Sequence, residues 1–113
     1  MHEMALAQGV IDAIDAEARI NAFERVTKVV LEVGALSCVD PHALEFGFEA
    51  VSRRTRAEGA SLEIRTPPGR ATCFACEAEV MIARRGDGCP ECGSHQLFVT
   101  GGEDMTIKAL EVI

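Results

Sequence analysis

Two Cys-x-x-Cys pairs in the second half of the chain constrain its fold more than any other feature. Cys73 and Cys76 form the first pair, and Cys89 and Cys92 form the second, with residues 77–88 between them. A two-residue gap lets both thiolates of a pair point to one metal ion, and two facing pairs complete the tetrahedral sulfur cage that Zn2+ prefers. The spacing therefore predicts a structural zinc ribbon over residues 73–92, with these four cysteines as ligands.

A redox-active dithiol is the alternative interpretation of the same cysteines. A thioredoxin-type motif has a single Cys-x-x-Cys pair at the start of a helix in a strand-helix-strand unit. Here the second pair matches the first, and four residues that favour turns punctuate the region: Gly86, Gly88, Pro90 and Gly93. The pattern favours the zinc cage. Because a cage of four thiolates has no open coordination position, function must be sought elsewhere in the chain.

Composition and charge exclude several classes of protein. The 113 residues suffice for one average domain, or for one small domain with a metal-stabilised lobe. A formal net charge of -7 argues against a nucleic-acid partner, because such complexes depend on neutralising phosphates with basic side chains. No apolar run approaches the length of a membrane span. We therefore expect a globular protein that binds neither nucleic acid nor membrane.

The start of the chain and the cysteine count predict a cytoplasmic location. Residues 1–4 lack both the basic flank and the apolar block of a signal peptide. The odd number of cysteines, with Cys38 left over, also disfavours a secreted disulfide framework. Cys38 itself is expected to be a small apolar residue of a loop or of the core.

Periodicity predicts two helices and two strands before the cysteines. Apolar residues recur at every fourth position between Met4 and Arg19, which indicates an amphipathic helix. Alternating β-branched residues predict a strand over Val26–Val33, ending at Gly34. One face of this strand carries Thr27, Val29, Leu31 and Val33, and the other carries Lys28 and Glu32. Asp40 and Pro41 are an N-cap and a first-turn proline for a second helix, which Gly59 is expected to stop. Leu62 and Ile64 alternate in a second strand.

Breaks and strand patterns in the rest of the chain predict the domain organisation. Pro67-Pro68-Gly69 is the clearest break, so it marks a boundary before the zinc lobe. A short strand is expected over Gln96–Thr100, a turn at Gly101-Gly102, and a last strand over Met105–Val112 whose shift of parity indicates a bulge or burial on both faces. The strand-helix-strand order favours a parallel pair, in a mixed sheet if the last strand joins it. The predicted class is α/β (α+β), with a domain of 1–69 plus 103–113 and an inserted zinc ribbon of 70–102.

The first two residues can form a second metal site. The α-amine of Met1, the amide nitrogen of His2 and the near ring nitrogen of His2 can chelate one metal through a five-membered and a six-membered ring. Three nitrogen ligands in a plane suit square-planar Ni2+ or Cu2+. A fourth position would remain for Glu3 or for a ligand of a partner. The alternative is an exposed terminal His that has no functional role. His42 and His95 are individually weaker candidates for metal ligands. His95 follows Cys92 closely enough to be tested as an extra ligand of the cage.

These features together resemble the HypA/HybF hydrogenase nickel-incorporation proteins. The resemblance covers nearly the whole chain, and the segments that carry it are Met1-His2-Glu3 directly before a helix, Val26-Thr27-Lys28, residues 33–39 (Val-Gly-Ala-Leu-Ser-Cys-Val), Ala57-Glu58-Gly59-Ala60 and the two cysteine pairs. It implies a nickel metallochaperone with a nickel domain of two helices and a three-stranded sheet, plus an inserted zinc domain.

The resemblance also implies partners and roles for single residues. It matches His2 to the nickel-binding His, Cys73, Cys76, Cys89 and Cys92 to the zinc ligands, and Glu3 to a position that contacts a metal ligand or a partner. It implies delivery of Ni2+, together with a nickel-handling GTPase accessory protein, to the hydrogenase large subunit, and in some members also to urease. It leaves the oligomeric state open, a homodimer included.

No enzymatic activity is expected, because the sequence has no Gly-rich phosphate loop and no evident pair of base and nucleophile. Two rival functions remain at this point. One is a zinc-ribbon module that acts on nucleic acid or transcription machinery. The other is a rubredoxin-like electron carrier with iron in the cage, which a red colour would reveal.

Overall fold

The computed structural model describes residues 2–113, which form two helices and two three-stranded sheets. The elements are α1 (Glu3–Asn21), β1 (Val26–Val33), α2 (Pro41–Ser52), β2 (Ser61–Arg65), β3 (Gly69–Cys73), β4 (Glu79–Ile82), β5 (Leu97–Gly101) and β6 (Met105–Val112). The first sheet has the strand order β2-β1-β6 and the second has the order β4-β3-β5. The predicted α+β class is confirmed.

The chain divides into two compact units. The first contains the chain up to Leu31, then Val39–Ile64 and Ile107–Ile113, and the second contains Glu32–Cys38 and Arg65–Thr106. The division into 1–69 plus 103–113 and 70–102 stays a prediction from the sequence. What the structure adds is the short segment Glu32–Cys38, which groups with the cysteine-rich part of the chain rather than with the helices.

The first sheet is mixed, with β1 in its centre. Thr27 accepts a hydrogen bond from Ser61 and Lys28 pairs with Glu63, so the partners on β2 advance in step with β1 and the two strands are parallel. On the other side the backbones of Arg25 and Ile113 exchange hydrogen bonds, while the Thr27 hydroxyl donates to the Glu111 carbonyl, so β6 runs antiparallel. The last strand, β6, therefore joins the sheet that contains β1 and β2, as predicted.

Burial of the central strand differs from the expected alternation. Val29, Val30 and Leu31 are all buried, whereas Thr27, on the same face as Val29 and Leu31, is exposed. A strand in the middle of a sheet can be covered on both faces, so its buried residues form a continuous run instead of alternating. The central position of β1 therefore accounts for the burial of Val30 between Val29 and Leu31.

Helix α1 packs against α2 through small residues. The buried stripe predicted for α1 is confirmed at Val10, Ile14 and Ala18. Gly47 in α2 faces this helix, since a Cβ added to it would lie 3.0 Å from the Met4 Sδ and 3.6 Å from the Ala7 Cβ. The lack of a side chain at position 47 lets the two helices approach closely.

Helix α2 begins where the sequence predicts but ends earlier. The Asp40 carboxylate accepts hydrogen bonds from the N–H groups of His42 and Ala43, which confirms the N-cap. The predicted stop at Gly59 was wrong, because the helix ends at Ser52. The Ser52 hydroxyl donates to the Glu49 carbonyl, which is the acceptor that the Arg53 N–H would need to continue the helix, and Arg53 leaves the helical conformation with ψ 133°.

One expectation for the last third of the chain needs correction, and a second is narrowed. The strand β5 runs one residue further than predicted, so Gly101 belongs to it and only Gly102 of the predicted turn has a left-handed conformation, with φ +84°. Of the two alternatives for β6, the bulge is not there, because Gly34 pairs with Asp104 in the same register as Arg25 with Ile113. Met105, Ile107 and Leu110 are half-buried, so the shift of parity reflects partial burial on both faces. The structure places an irregularity instead between β3 and β5, at Arg70/Ala71.

Glycines hold three backbone segments of the second unit in contact. A Cβ added to Gly34 would lie 2.1 Å from the Gly102 carbonyl oxygen, and one added to Gly102 would lie 2.6 Å from the Gly69 Cα. The Leu36 N–H donates to the same Gly102 carbonyl at 2.8 Å. No side chain fits at either glycine without moving backbone, so the contact depends on both residues.

We expect Gly34→Ala to lower the free energy of unfolding by about 1–3 kcal/mol, because the backbone must shift to admit the methyl group. Gly9→Ala is the matched control, since Gly9 lies in α1 with nothing within 4 Å of an added Cβ. That change should stabilise the helix by roughly 0.5–1 kcal/mol. Urea unfolding followed by circular dichroism measures both, and equal midpoints for the two variants would contradict the close contact.

Candidate metal centre

The four cysteine sulfurs meet in one cluster in the second unit. All four Sγ atoms lie within 4.8 Å of one another. The Cys73 and Cys92 Sγ atoms are 3.7 Å apart, and those of Cys76 and Cys89 are 3.8 Å apart. A tetrahedral site with Zn–S bonds of about 2.3 Å has S···S edges of about 3.8 Å. The donor set therefore has the spacing that a tetrahedral zinc ion requires.

The two cysteine pairs sit on the same kind of turn. The Cys73 carbonyl accepts from the Glu77 N–H at 2.8 Å, and the Cys89 carbonyl accepts from the Gly93 N–H at 2.7 Å. The residue after the second cysteine is left-handed in both turns, with φ 63° at Glu77 and φ 79° at Gly93. Each pair is thus presented by a repeated knuckle, which explains why the same two-residue spacing occurs twice.

The cluster lies partly in the core of the second unit. Cys73 and Cys89 are buried, whereas Cys76 and Cys92 are exposed. The two buried cysteines pack in one hydrophobic cluster whose other members are Leu36, Ala71, Val80 and Ile82. The first sulfur of each knuckle therefore belongs to the core and the second closes the site toward solvent.

Electrostatics in the cluster also fit a cation. The Cys76 N–H, which donates to the Cys73 sulfur, is the main cause that lowers the pKa of Cys73 to about 7. The Ala78 N–H lowers the pKa of Cys76, but burial and the three neighbouring thiols together outweigh it and raise this pKa to about 12. The thiolate form of Cys73 is thus favoured, whereas the thiolate form of Cys76 is opposed. Four sulfurs this close can all be thiolates only with a cation among them, and zinc has the matching ligand preference.

His95 and Cys38 lie outside this cluster. In the part of the chain that the structure describes, the cluster consists of the four cysteines alone. The exposed His95 ring lies beside Gly88, with its Nε2 atom 3.4 Å from the position of an added Cβ. Cys38 is an exposed loop residue with φ 61°. The structure does not bring either residue to the sulfur cage.

The N-terminal site is described from His2 onward, and the predicted ligand Met1 lies outside the described residues. His2 is the exposed N-cap residue of α1, and its carbonyl accepts from the Leu6 N–H at 2.9 Å. The first helix therefore begins directly after the predicted nickel ligand. His42 is exposed in the first turn of α2 and donates its N–H to Asp40.

Glu3 connects the start of α1 to the start of α2. Its side chain accepts from the Asp40 N–H at 3.1 Å, and the residue is only 8% exposed. This backbone donor is the main cause that lowers the pKa of the Glu3 carboxyl. Asp40 is the neighbour that sequence reasoning missed, because no local pattern relates two residues so far apart in the chain. The anionic carboxylate of Glu3 fixes the helix start next to the exposed His2.

Comparisons with known proteins identify the relatives of this chain. A family model described as "Hydrogenase/urease nickel incorporation, metallochaperone, hypA" matches residues 1–112. The hydrogenase maturation factor HypA of Bradyrhizobium sp. (strain ORS 278) is 58% identical over 112 residues, which is 99% of both chains. The HypA of Rhodobacter capsulatus is 49% identical over 113 residues, which is all of both chains.

A solved structure has the same fold. The solution structure of the Ni metallochaperone HypA from Helicobacter pylori aligns with a TM-score of 0.71, at 23% identity, over all of this chain and 98% of that one. No helix in residues 2–113 is long and apolar enough to cross a membrane.

Proposed function

Because this chain belongs to the HypA family of hydrogenase and urease nickel-incorporation metallochaperones, we propose that it binds Ni2+ at its N-terminus and delivers it to nickel-iron hydrogenase. Family membership makes it a maturation factor and not an enzyme. The observation that carries the proposal is the exposed His2 directly before α1, whose start is fixed by the bond between Glu3 and the Asp40 N–H.

The proposed nickel ligands are three nitrogens of the first two residues. They are the α-amine of Met1, the amide nitrogen of His2 and the near ring nitrogen of His2. Planar nitrogen ligands favour Ni2+, and the amine and amide must lose protons to bind it. A fourth position open to a replaceable ligand would allow release, which a carrier needs. Glu3 supports the site by fixing the start of α1, where His2 lies.

The proposed role of the cysteine cluster is to hold the second unit together. Cys73, Cys76, Cys89 and Cys92 are the proposed ligands of one Zn2+, which would supply folding free energy and no reactive position. Two of these residues lie in the hydrophobic cluster of the unit, which supports a structural role. We also propose that the protein works in the cytoplasm, since thiols that bind zinc must stay reduced.

The proposed partners are a nickel-handling GTPase accessory protein and the hydrogenase large subunit, with urease as a further target. The GTPase is proposed to bind the part of the chain that carries His2, because nickel passes only between sites that touch. Such a complex is transient, so its interface need not be large. The net charge of -7 and the family membership argue against the alternative of a zinc ribbon that acts on nucleic acid.

A transfer assay tests this function. The Ni2+-loaded protein, the cognate GTPase with GTP, and the nickel-free hydrogenase large subunit are mixed in the presence of a chelator that traps free nickel. We expect nickel to reach the large subunit from the loaded protein, but not from the same amount of free Ni2+, because transfer within a complex avoids the chelator. The control is protein loaded with zinc alone. Equal transfer from free Ni2+ would contradict the proposal.

A further inference from the structure

Acidic side chains dominate the two helices of the first unit, whose one basic residue is Arg19 in the last turn of α1. Neither Lys nor Arg occurs in residues 2–18 or 40–52. The acidic residues of these segments are Glu3, Asp12, Asp15, Glu17, Asp40, Glu45 and Glu49. Asp15 is paired with Arg56 at 3.4 Å, whereas Glu45 and Glu49 lie exposed on α2. The exposed charged side chains of α2 itself are therefore acidic, and exposed Arg53 and Arg54 follow directly after its end.

Two large apolar side chains stand out of this acidic surface. Met4 is 49% exposed and Phe46 is 74% exposed. Met4 lies over Gly47, at a contact between α1 and α2. Phe46 precedes Gly47, so its side chain projects about 100° further around α2, away from the core. Both side chains thus border the contact of the two helices, near the helix starts that Glu3 and Asp40 join.

We infer that Met4 and Phe46, together with Glu45 and Glu49, form a docking face for a partner protein that presents an apolar pocket ringed by Lys and Arg. An exposed Phe has no role in the fold, but a partner pocket that desolvates it gains a central aromatic anchor. Glu45 adjoins this Phe in sequence and Glu49 lies one helical turn beyond it, so they form the polar rim on α2. The inference rests on the proposed function, since it places the partner beside the nickel-binding terminus.

The apolar anchor and the acidic rim affect different rate constants of binding. Burial of Phe46 and Met4 sets how long the complex lasts, because truncation of a central anchor acts mainly on dissociation. The carboxylates Glu45 and Glu49 instead attract a basic partner before contact, which raises the association rate and makes it depend on salt. A basic partner surface follows from the absence of Lys and Arg in residues 40–52.

The test is the binding of the full-length protein to the purified cognate GTPase by biolayer interferometry. We expect Phe46→Ala to raise the Kd by at least about tenfold, the scale of hot-spot losses. Glu45→Gln combined with Glu49→Gln should slow association several-fold at low salt and flatten the salt dependence, with little change in dissociation. Ile20→Ala is the matched control, because Ile20 is 76% exposed on the same helix pair but at the far end of α1.

The readouts separate this inference from the proposed function. Nickel affinity of Phe46→Ala should equal that of the wild type, and its circular dichroism should be unchanged, because Phe46 contributes little to the fold. If Phe46→Ala and Ile20→Ala both bind the GTPase as the wild type does, the docking face is overturned while nickel delivery stands. If the wild type fails to bind the GTPase at all, both the docking face and the proposed partner are overturned.

Discussion

The addition of one residue before Met1 is expected to lower the affinity for Ni2+ by at least about 100-fold, since loss of groups that merely support metal ligands already costs roughly 10–100-fold. The added residue turns the α-amine of Met1 into an amide and places the new amine outside the five-membered chelate ring. His2→Ala should have an equal effect, because it removes the ring nitrogen. The measurement is a competition titration of Ni2+ against a coloured chelator.

Two controls make this result specific. Circular dichroism and zinc content should be unchanged in both variants, because His2 is exposed at the start of α1. The wild-type affinity should fall as the pH is lowered, since protons compete with nickel for the amine and the amide. If the extended protein binds nickel as tightly as the wild type, the amine is not a ligand. The site would then have to be rebuilt around His2 with other side chains, His42 and His95 being the first to test.

Loss of one cage cysteine is expected to unfold the second unit and release its zinc. Structural zinc contributes about 10–16 kcal/mol of binding free energy in small zinc-finger peptides, which is comparable to the whole stability of a typical domain, about 5–15 kcal/mol. Cys76→Ser or Cys89→Ser should therefore lose zinc and hydrogen-exchange protection over residues 70–102. Most of the helical signal should remain, because α1 and α2 belong to the first unit.

Cys38→Ser is the matched control for the cage variants. Cys38 is an exposed cysteine outside the sulfur cluster, so its replacement should leave about one zinc per chain, as four-cysteine structural sites bind. Zinc is measured by atomic absorption and folding by limited proteolysis. Full zinc content and unchanged protease resistance in both cage variants would contradict the proposed ligands. Removal of zinc by a chelator should reproduce the cage variants in the wild-type protein.

Local sequence rules predicted the regular elements well where a single element decides its own pattern. The bounds of β1 and β6 are those expected from alternation, and the start of α2 follows from its Asp40 cap. The sulfur cluster was also predictable, because two knuckles of fixed spacing leave few ways to arrange four thiolates. Information about these features lies within a few neighbouring residues.

Two features of the fold were beyond the same rules. The end of α2 depends on a hydrogen-bond competition at Ser52, where periodicity suggested that the helix continues to Gly59. Burial of Val30 depends on the central position of β1, which no property of the strand itself reveals.

The sequence by itself determined the set of four thiols in two knuckles, and it is the source of the proposed nickel site at His2. Only the tertiary structure decided what surrounds them. It places Leu36 in the hydrophobic cluster of Cys73 and Cys89, and it ties the Glu3 carboxylate to the Asp40 N–H. The physical reason is that ligand geometry follows from short covalent spacing, whereas burial and hydrogen bonding between remote residues arise only when the whole chain has packed.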